Sequence, residues 1–367
     1  MTEQEYLYLI ALTKIPKVGP VIGKNLISYC GGIEAVFKET KKNLLKIPGI
    51  GTSLVQNFEP QKFIHLAEEE MTYTSKNDIK IVSYTDQDFP KRLLNIDYCP
   101  LLLYVKGNFE VNHHRVVAVV GTRKPSDYGK MMCEKIIEGL APYNVLLVSG
   151  LAYGIDAIAH KKSVELNIPT LGILGHGLDR YYPSEHKSLA IKMMANGGVM
   201  TEFPIKTEPD RENFPMRNRI IAGISDAIIV VESKKKGGSI ISAEFGNEFN
   251  RDVFAVPGNV TEERSEGCNK LIKQNKAHLM ESAADIAYIM RWEQIDAQKV
   301  IQQQLFVDLD ENETKMINMI RDNKEITIDT ITYKIGMTPS EVSGTLLNLE
   351  FKGLVRSLPG KKYILNR

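Results

Sequence analysis

Short apolar runs that each end at a glycine recur through the middle of the chain. The run Val116–Val120 stops at Gly121, and the run 145–148 stops at Ser149 and Gly150. A stretch typical of a helix follows each run. Strands of four to six apolar residues that alternate with helices predict a doubly wound parallel sheet. Because glycine lets the backbone approach a ligand and helix N-termini offer N–H donors, these loops predict an anion site at the carboxyl ends of the strands.

The same alternation of strands and helices continues over 76–292, which we predict to be one α/β domain. Ser184 is the expected N-cap of a helix that ends at residue 194. The first helix of the domain is expected over 126–140, and further strands over 79–84, 101–105, 170–174, 199–201, 227–231 and 253–256.

Residues 1–75 are expected to form short helices separated by glycine turns. Two similar segments, Ile15-Pro-Lys-Val-Gly-Pro and Ile47-Pro-Gly-Ile-Gly-Thr, each lie between amphipathic stretches. The second favours a helix–hairpin–helix, in which Gly49 and Gly51 permit a tight turn and their amides face a DNA phosphate. The first is weaker because Lys17 replaces a glycine. A packing module that binds nothing is favoured over DNA contact for this domain.

The end of the chain is predicted to be a separate unit. A polar, glutamine-rich linker over 293–310 precedes helices at 312–321, 328–335 and 339–351 and a hairpin around Pro359-Gly360. Three helices and a hairpin indicate a winged helix over 311–367. The third helix contains Glu341 and Glu350 but no lysine or arginine, so packing or protein contact is favoured over base recognition.

Composition narrows the class of protein. A chain of 367 residues fits two or three domains, and its net charge of +1 means that any polyanion site must come from local clustering. The four cysteines are scattered, so no disulfide framework or metal site is expected and a cytoplasmic location fits. Neither a signal peptide nor a membrane-spanning run is seen.

Several side chains are candidates for phosphate contact. Arg123 follows the first glycine loop and could hold phosphate bidentately or pair with a carboxylate instead. Arg217 and Arg219 lie roughly 200° apart on a helix, so only one can face the site; we favour Arg217 and expect Arg219 to be structural. Lys187 is a further candidate. Gly237-Gly238-Ser239 repeats the glycine–helix element with a hydroxyl donor, and Tyr181 or Tyr182 could stack a base.

No catalytic constellation is recognised. Asp156 and His160 are four residues apart on one helix, where a structural link or cap is favoured over an acid–base pair. The nucleotide-binding patterns G-x-x-x-x-G-K-[ST] and G-x-G-x-x-G after the first strand are absent from the sequence, so neither ATP nor NAD is expected as a cofactor.

In combination, these motifs resemble the bacterial DNA-processing protein A (DprA/Smf) family. They are Gly121-Thr-Arg, Val148-Ser-Gly-Leu-Ala-Tyr-Gly-Ile-Asp-Ala-Ile-Ala-His, Gly175-His-Gly-Leu-Asp with Tyr182-Pro, Asn213-Phe-Pro-Met-Arg-Asn-Arg-Ile-Ile-Ala-Gly, Gly238-Ser and Val256-Pro-Gly. The resemblance implies an extended Rossmann-like fold, a homodimer and no enzymatic reaction. It also implies sequence-independent binding of single-stranded DNA, protection of incoming DNA, and loading of the RecA recombinase during natural transformation. The DNA-binding residues would be Gly121, Thr122, Arg123, Ser149, Gly150, Gly154, Lys187, Arg217, Gly238 and Ser239.

Two alternatives stay open. Gly237-Gly with Glu244 resembles the G-G-x-G-T-x-x-E run of nucleoside-monophosphate phosphoribohydrolases, although Ile240 and Ile241 stand where that run has glycine and threonine. Two features also depart from the DNA-processing family. Glu244 is acidic where many members are not, and the segment 273–277 lacks the usual Gly-Ala ending. The other alternative is a protein adaptor built on an inert Rossmann-like body.

Overall fold

The computed structural model describes residues 1–294, 309–323, 325–352 and 354–365. The chain divides into two compact units, Met1–Gln294 and Ile295–Arg367. The predicted boundary between a helical domain and an α/β domain falls inside the first unit and stays a prediction. Residues 295–308 of the predicted linker lie outside the described residues. Among the described helices, none combines the length and apolar character that crossing a bilayer requires.

Six helices open the first unit and pack around the side chains of Leu9, Leu26, Val36, Leu54 and Phe63. Lys17 adopts φ +68° and Gly49 adopts φ +83°, so the two similar turns share a left-handed residue even though only one of them is glycine. The Lys17 ammonium group donates a hydrogen bond to Ser53 Oγ at 3.1 Å. The helices are α1 Glu3–Thr13, α2 Pro20–Cys30, α3 Ile33–Lys38, α4 Lys41–Leu44, α5 Thr52–Gln56 and α6 Pro60–Lys76.

One mostly parallel sheet forms the centre of this unit, and within the described residues it has nine strands in the order β1-β2-β6-β5-β4-β3-β7-β8-β9. Strand β2 pairs antiparallel with β1 and β6, and the remaining pairs are parallel. The strands are β1 Lys80–Ser83, β2 Leu102–Asn108, β3 Val116–Val120, β4 Leu146–Ser149, β5 Thr170–Ile173, β6 Gly197–Thr201, β7 Ala227–Val230, β8 Asp252–Ala255 and β9 His278–Leu279.

Helices cover both faces of the sheet, which explains why strands β3 to β7 are buried along their whole length. Ser184 is not the helix cap that the sequence predicted, because it begins a 3₁₀ turn, Ser184–His186, ahead of the α-helix. The helices are α7 Asp127–Leu140, α8 Ile155–Glu165, α9 Lys187–Met193, α10 Asn213–Ile224, α11 Gly238–Glu248, α12 Glu266–Lys273 and α13 Ala283–Met290.

The strand order reverses at β3. From β3 the chain moves outward through β4, β5 and β6, then returns to the other side of β3 with β7. The register pairs Val117 with Ala227 and Val120 with Val230, so the loops after β3 and β7 leave the sheet side by side. Such a switch point is where open α/β sheets bind ligands.

The second unit is a winged helix around Met316, Ile331, Leu346 and Leu349. Its strands pair in the order β10-β12-β11. The predicted second and third helices are confirmed at both ends, and Thr327 caps the second by accepting the Thr330 N–H at 3.3 Å. The elements are α14 Glu311–Asn323, β10 Ile326–Thr327, α15 Ile328–Ile335, α16 Pro339–Phe351, β11 Val355–Leu358 and β12 Lys362–Leu365.

Candidate functional site

A cleft of about 630 Å³ opens at the carboxyl ends of β3 and β7. One wall is the loop 121–123, the opposite wall is the segment 233–242 that leads into α11, and α10 closes a third side. Arg123 and Ser239 therefore share one cleft, as the sequence predicted they should if they act together.

Basic side chains dominate the charge of the cleft. Arg123, Arg211 and Lys236 are exposed along its lining. Within the described residues, none of these three forms a salt bridge. Lys234 also lines the cleft, but it pairs with Glu263 at 2.6 Å. The mouth of the cleft thus attracts anions although the whole chain is almost neutral.

Arg217 lies at the cleft floor and is buried. Its Nη1 donates to the carbonyl oxygens of Gly150, at 2.6 Å, and Ile173. Burial lowers the pKa of Arg217 to about 10, against the opposing effect of the Asp156 charge. The guanidinium is therefore charged at neutral pH and held at a fixed place.

Asp156 is the only carboxylate among the described residues that line the cleft. It accepts the amides of Gly150 at 3.1 Å and Ala152 at 3.3 Å, and so caps the loop after β4. Burial raises the pKa of Asp156, and the charge of Arg217 acts against this rise. His160 does not pair with it: the imidazole Nδ1 bonds Thr170 Oγ1 at 2.7 Å inside the core. Both residues thus have structural partners, and they do not form an acid–base pair.

Glycines bring the loops after β3 and β4 together. Gly154 adopts φ +77°, and a Cβ there would lie 2.3 Å from the carbonyl oxygen of Thr122. The first amide of α8, on Ile155, donates to the same oxygen at 3.2 Å. These contacts fix the course of the loop that presents Arg123.

The first turn of α11 faces the cleft. Gly237 is its N-cap and provides no side-chain cap, so the amides of Gly238 and Ser239 have no partner in the helix, whereas the Ile240 N–H donates to the Gly237 carbonyl oxygen at 3.1 Å. Asn218 holds the turn by donating to the Gly238 carbonyl at 3.2 Å, and Ser239 Oγ donates to Ser233 Oγ at 2.8 Å. A Cβ on Gly238 would meet nothing within 4 Å, so the backbone there is open to a ligand.

Two aromatic rings border the basic mouth. The Arg123 guanidinium lies 5.2 Å from the centroid of the Phe214 ring, and the Tyr182 ring lies 6.0 Å from Phe214. Tyr182 is 43% exposed. Both rings line the cleft and offer an apolar face beside a cation.

The structure gathers six of the ten predicted site residues in the cleft lining. Of the other four, Ser149 donates to the Val119 carbonyl at 2.6 Å in the core, and Lys187 is exposed at the start of α9. Gly150 and Gly154 pack against Arg217 and the loop 122–123. The residues in the cleft are Gly121, Thr122, Arg123, Arg217, Gly238 and Ser239.

Three cleft residues whose side chains could contact a phosphate or a base were missed. Lys236 belongs to the lysine run 234–236 directly before the α11 glycines, and that position was the available signal. Arg211 and Phe214 come from the loop 202–212 and the first turn of α10, and no periodicity marked them.

Arg219, predicted to be structural, is buried and bonds Glu202 and the Tyr98 carbonyl. Among the described residues, no group of three or more histidine, cysteine or acidic side chains could hold a metal ion.

The fold and the cleft define a Rossmann-like protein with a helix–hairpin–helix module before it and a winged helix after it. The chain belongs to the DNA recombination-mediator protein A family, whose profile matches residues 80–291. A SAM-like helix-hairpin-helix tandem matches residues 9–57, and the DprA winged helix domain matches residues 309–361.

Relatives agree with this assignment. Protein Smf from Synechocystis sp. is 31% identical over 404 aligned residues, which cover 99% of both chains. The structure of DNA processing protein A from Streptococcus pneumoniae has a TM-score of 0.63 at 30% identity and covers 80% of this chain and 99% of its own. DNA processing protein A from Helicobacter pylori, described for its single-stranded DNA binding mode, has a TM-score of 0.53 at 24% identity and covers 59% and 97%. This last likeness concerns the fold alone.

Proposed function

We propose that this chain binds single-stranded DNA in the cleft at the β3–β7 switch point, without regard to base sequence. The observation that carries the proposal is the convergence there of three exposed cations that form no salt bridge within the described residues, an open helix N-terminus and two aromatic faces. Membership in the DNA recombination-mediator protein A family supports it.

Phosphate groups are the part of the ligand that fits the polar walls. The Arg123 guanidinium can hold two phosphate oxygens, and the first-turn amides of α11 add uncharged donors. Arg217 contributes a fixed positive charge from the floor, because its Nη1 group is already bonded to two carbonyl oxygens. Contacts to phosphate position a strand and carry no base code.

Bases fit the aromatic border. Phe214 and Tyr182 can stack an unpaired base of any identity, which contributes about 1–3 kcal/mol per base in other proteins. A duplex keeps its base faces stacked inside, so this contribution favours a single strand. Stacking and phosphate contact together account for binding that is selective for strand state and indifferent to sequence.

Filter binding of matched single- and double-stranded oligonucleotides across a salt series tests the proposal. We expect tighter retention of the single strand at every salt concentration and similar affinities for unrelated sequences. Equal affinity for both forms, or a strong sequence preference, would refute it.

The wider role that we propose is recombination mediation: a cytoplasmic homodimer protects incoming single strands and loads the RecA recombinase on them during natural transformation. The recombination-mediator family supports this role. Assembly of RecA on a single strand should become faster when the chain is added, and the chain should sediment at twice 41.3 kDa. An unchanged assembly rate would remove the loading role, and a monomer would remove the dimer.

The DNA is expected to leave the cleft chemically intact. The rival phosphoribohydrolase interpretation depends on Glu244, but Glu244 is exposed on α11 and is not part of the lining, whereas Ile241 is. Incubation with nucleoside monophosphates should release no free base. Release that is lost in Glu244→Ala would favour the enzyme instead.

A further inference from the structure

The loop that joins β6 to α10, residues 202–212, carries one border of the cleft. Pro209 and Arg211 line the cleft from this loop, and Phe214 follows in the first turn of α10. The loop has no helix or strand, and Lys206 within it adopts φ +66°. A left-handed lysine persists only where its surroundings impose it, so neighbouring elements must fix the loop.

A buried carboxylate from the N-terminal helices holds the start of the loop. Glu70 of α6 is fully buried. Its Oε1 accepts the Ile205 N–H at 2.8 Å, and its Oε2 accepts from the Lys14 ammonium group at 2.7 Å. Lys14 is the C-cap of α1. One carboxylate thus joins two helices to the backbone of the cleft loop through charge-assisted hydrogen bonds.

The opposite side of the loop is held by the segment after β5. The Gly177 N–H donates to the Thr207 carbonyl at 3.2 Å, and the Lys206 N–H donates to Asp179 Oδ1 at 3.1 Å. On the side of the N-terminal helices, the Ile205 backbone is held by the side chain of Glu70. Removing it frees one edge of the loop while the other edge stays attached.

We propose that Glu70 is a positioning residue for the cleft: through Ile205 it sets the loop that presents Arg211 to the DNA phosphate. The proposal rests on the proposed function. It gives the N-terminal helices a role in DNA binding that requires no contact between those helices and DNA.

The sign of the expected effect separates this role from general electrostatics. Removing a negative charge alone should strengthen binding to a polyanion, whereas loss of the positioning contact should weaken it. The double variant Lys14→Met with Glu70→Leu keeps the net charge constant. Replacing a buried ion pair by apolar side chains of similar volume is often neutral for stability, so this variant should fold.

The matched control is Glu69→Gln with Lys206→Met. This pair is exposed, joins the same helix to the same loop at 2.8 Å, and involves no backbone group. Its removal also keeps the net charge constant. The single variant Glu70→Gln serves as a second test, because one oxygen must then satisfy two donors and a smaller effect of the same sign is expected.

Binding of labelled single strands should become about fivefold weaker at 0.1 M salt in the Lys14/Glu70 variant, with a slope of log K against log salt shallower by about 0.7, the share of one phosphate. The control should stay within about twofold of the parent. Arg211→Ala should cost about fivefold in the parent but less than about twofold in the Lys14/Glu70 background, because coupled residues are not additive.

Hydrogen exchange without DNA, at unchanged melting temperature, separates this proposal from the proposed function. Faster exchange at residues 204–212 in the Lys14/Glu70 variant, but not in the control, supports positioning even if the parent were to bind no DNA. Parent-like affinity and slope, additive effects of Arg211→Ala, or unchanged exchange would each overturn the proposal while leaving single-strand binding intact.

Discussion

Replacing Arg123 by alanine removes one of the three exposed cations that line the cleft and that form no salt bridge in the part of the chain that the structure describes. Three neutralised phosphates on a single strand give a slope of log K against log salt of about −2.1, and two give about −1.4. The same difference corresponds to about fivefold weaker binding at 0.1 M salt. Arg123→Glu should weaken binding further, since it adds a repulsive charge at the mouth.

Fluorescence anisotropy of a labelled deoxythymidine oligonucleotide over a salt series measures both quantities. The control is Lys124→Ala, which removes the same charge from an exposed neighbour that does not line the cleft. It should keep the parent slope. If Arg123→Ala also keeps that slope, or if both variants lose affinity equally, then Arg123 contributes only through the overall charge of the surface.

Three further predictions concern the cleft and its support. Gly238→Ala should leave stability within about 0.5 kcal/mol, because its Cβ meets nothing in the protein, yet weaken single-strand binding by entering the cleft; thermal melting and anisotropy check it. Asp156→Ala should cost about 3 kcal/mol in urea unfolding, because it leaves the Gly150 amide and the Arg217 guanidinium without their charge partner. Burial lowers the pKa of His160 to about 3. As the pH falls, this histidine is therefore protonated in the unfolded chain before it is protonated in the folded chain. The free energy of unfolding should decrease by about 1.4 kcal/mol per pH unit between pH about 6.5 and pH about 3. His160→Gln should abolish that share of the dependence, as unfolding at pH 7 and pH 5.5 can measure.

Each of these has an outcome that contradicts it. Lost stability in Gly238→Ala would mean that the helix N-terminus is packed and closed. A nearly neutral Asp156→Ala would mean that the loop after β4 has other support. If His160→Gln retains the parent pH profile, the proton uptake below pH 6.5 belongs to another group.

The sequence predicted the central strands well because β3 and β7 are continuous runs of valine, isoleucine and alanine that stop at polar or glycine residues. It also predicted both ends of α16, since Pro339 stands at the first position after the Thr338 cap. It did not predict β9, whose two residues are too few to form a pattern.

The cleft was only partly predictable for a different reason. Gly121 and Gly150 stand in similar glycine loops, yet one lines the cleft and the other makes room for Arg217. Which of these roles a glycine has depends on the side chain that packs against it from a distant helix. Arg211 belongs to an irregular loop whose backbone is bonded by Glu70 and Asp179, and the local sequence does not reveal those contacts.

The close packing of Gly150 against Arg217 couples substitutions at these two positions. A Cβ at residue 150 would lie 2.1 Å from Arg217 Nη1 and 2.5 Å from its Cζ, so a larger residue at 150 requires the guanidinium to move away from the carbonyl oxygens that it bonds. A homologue with alanine at the first position should carry a shorter side chain at the second. Such paired replacements would remove a fixed positive charge from the floor of the cleft without a steric clash, and we expect them to weaken the proposed binding of single-stranded DNA.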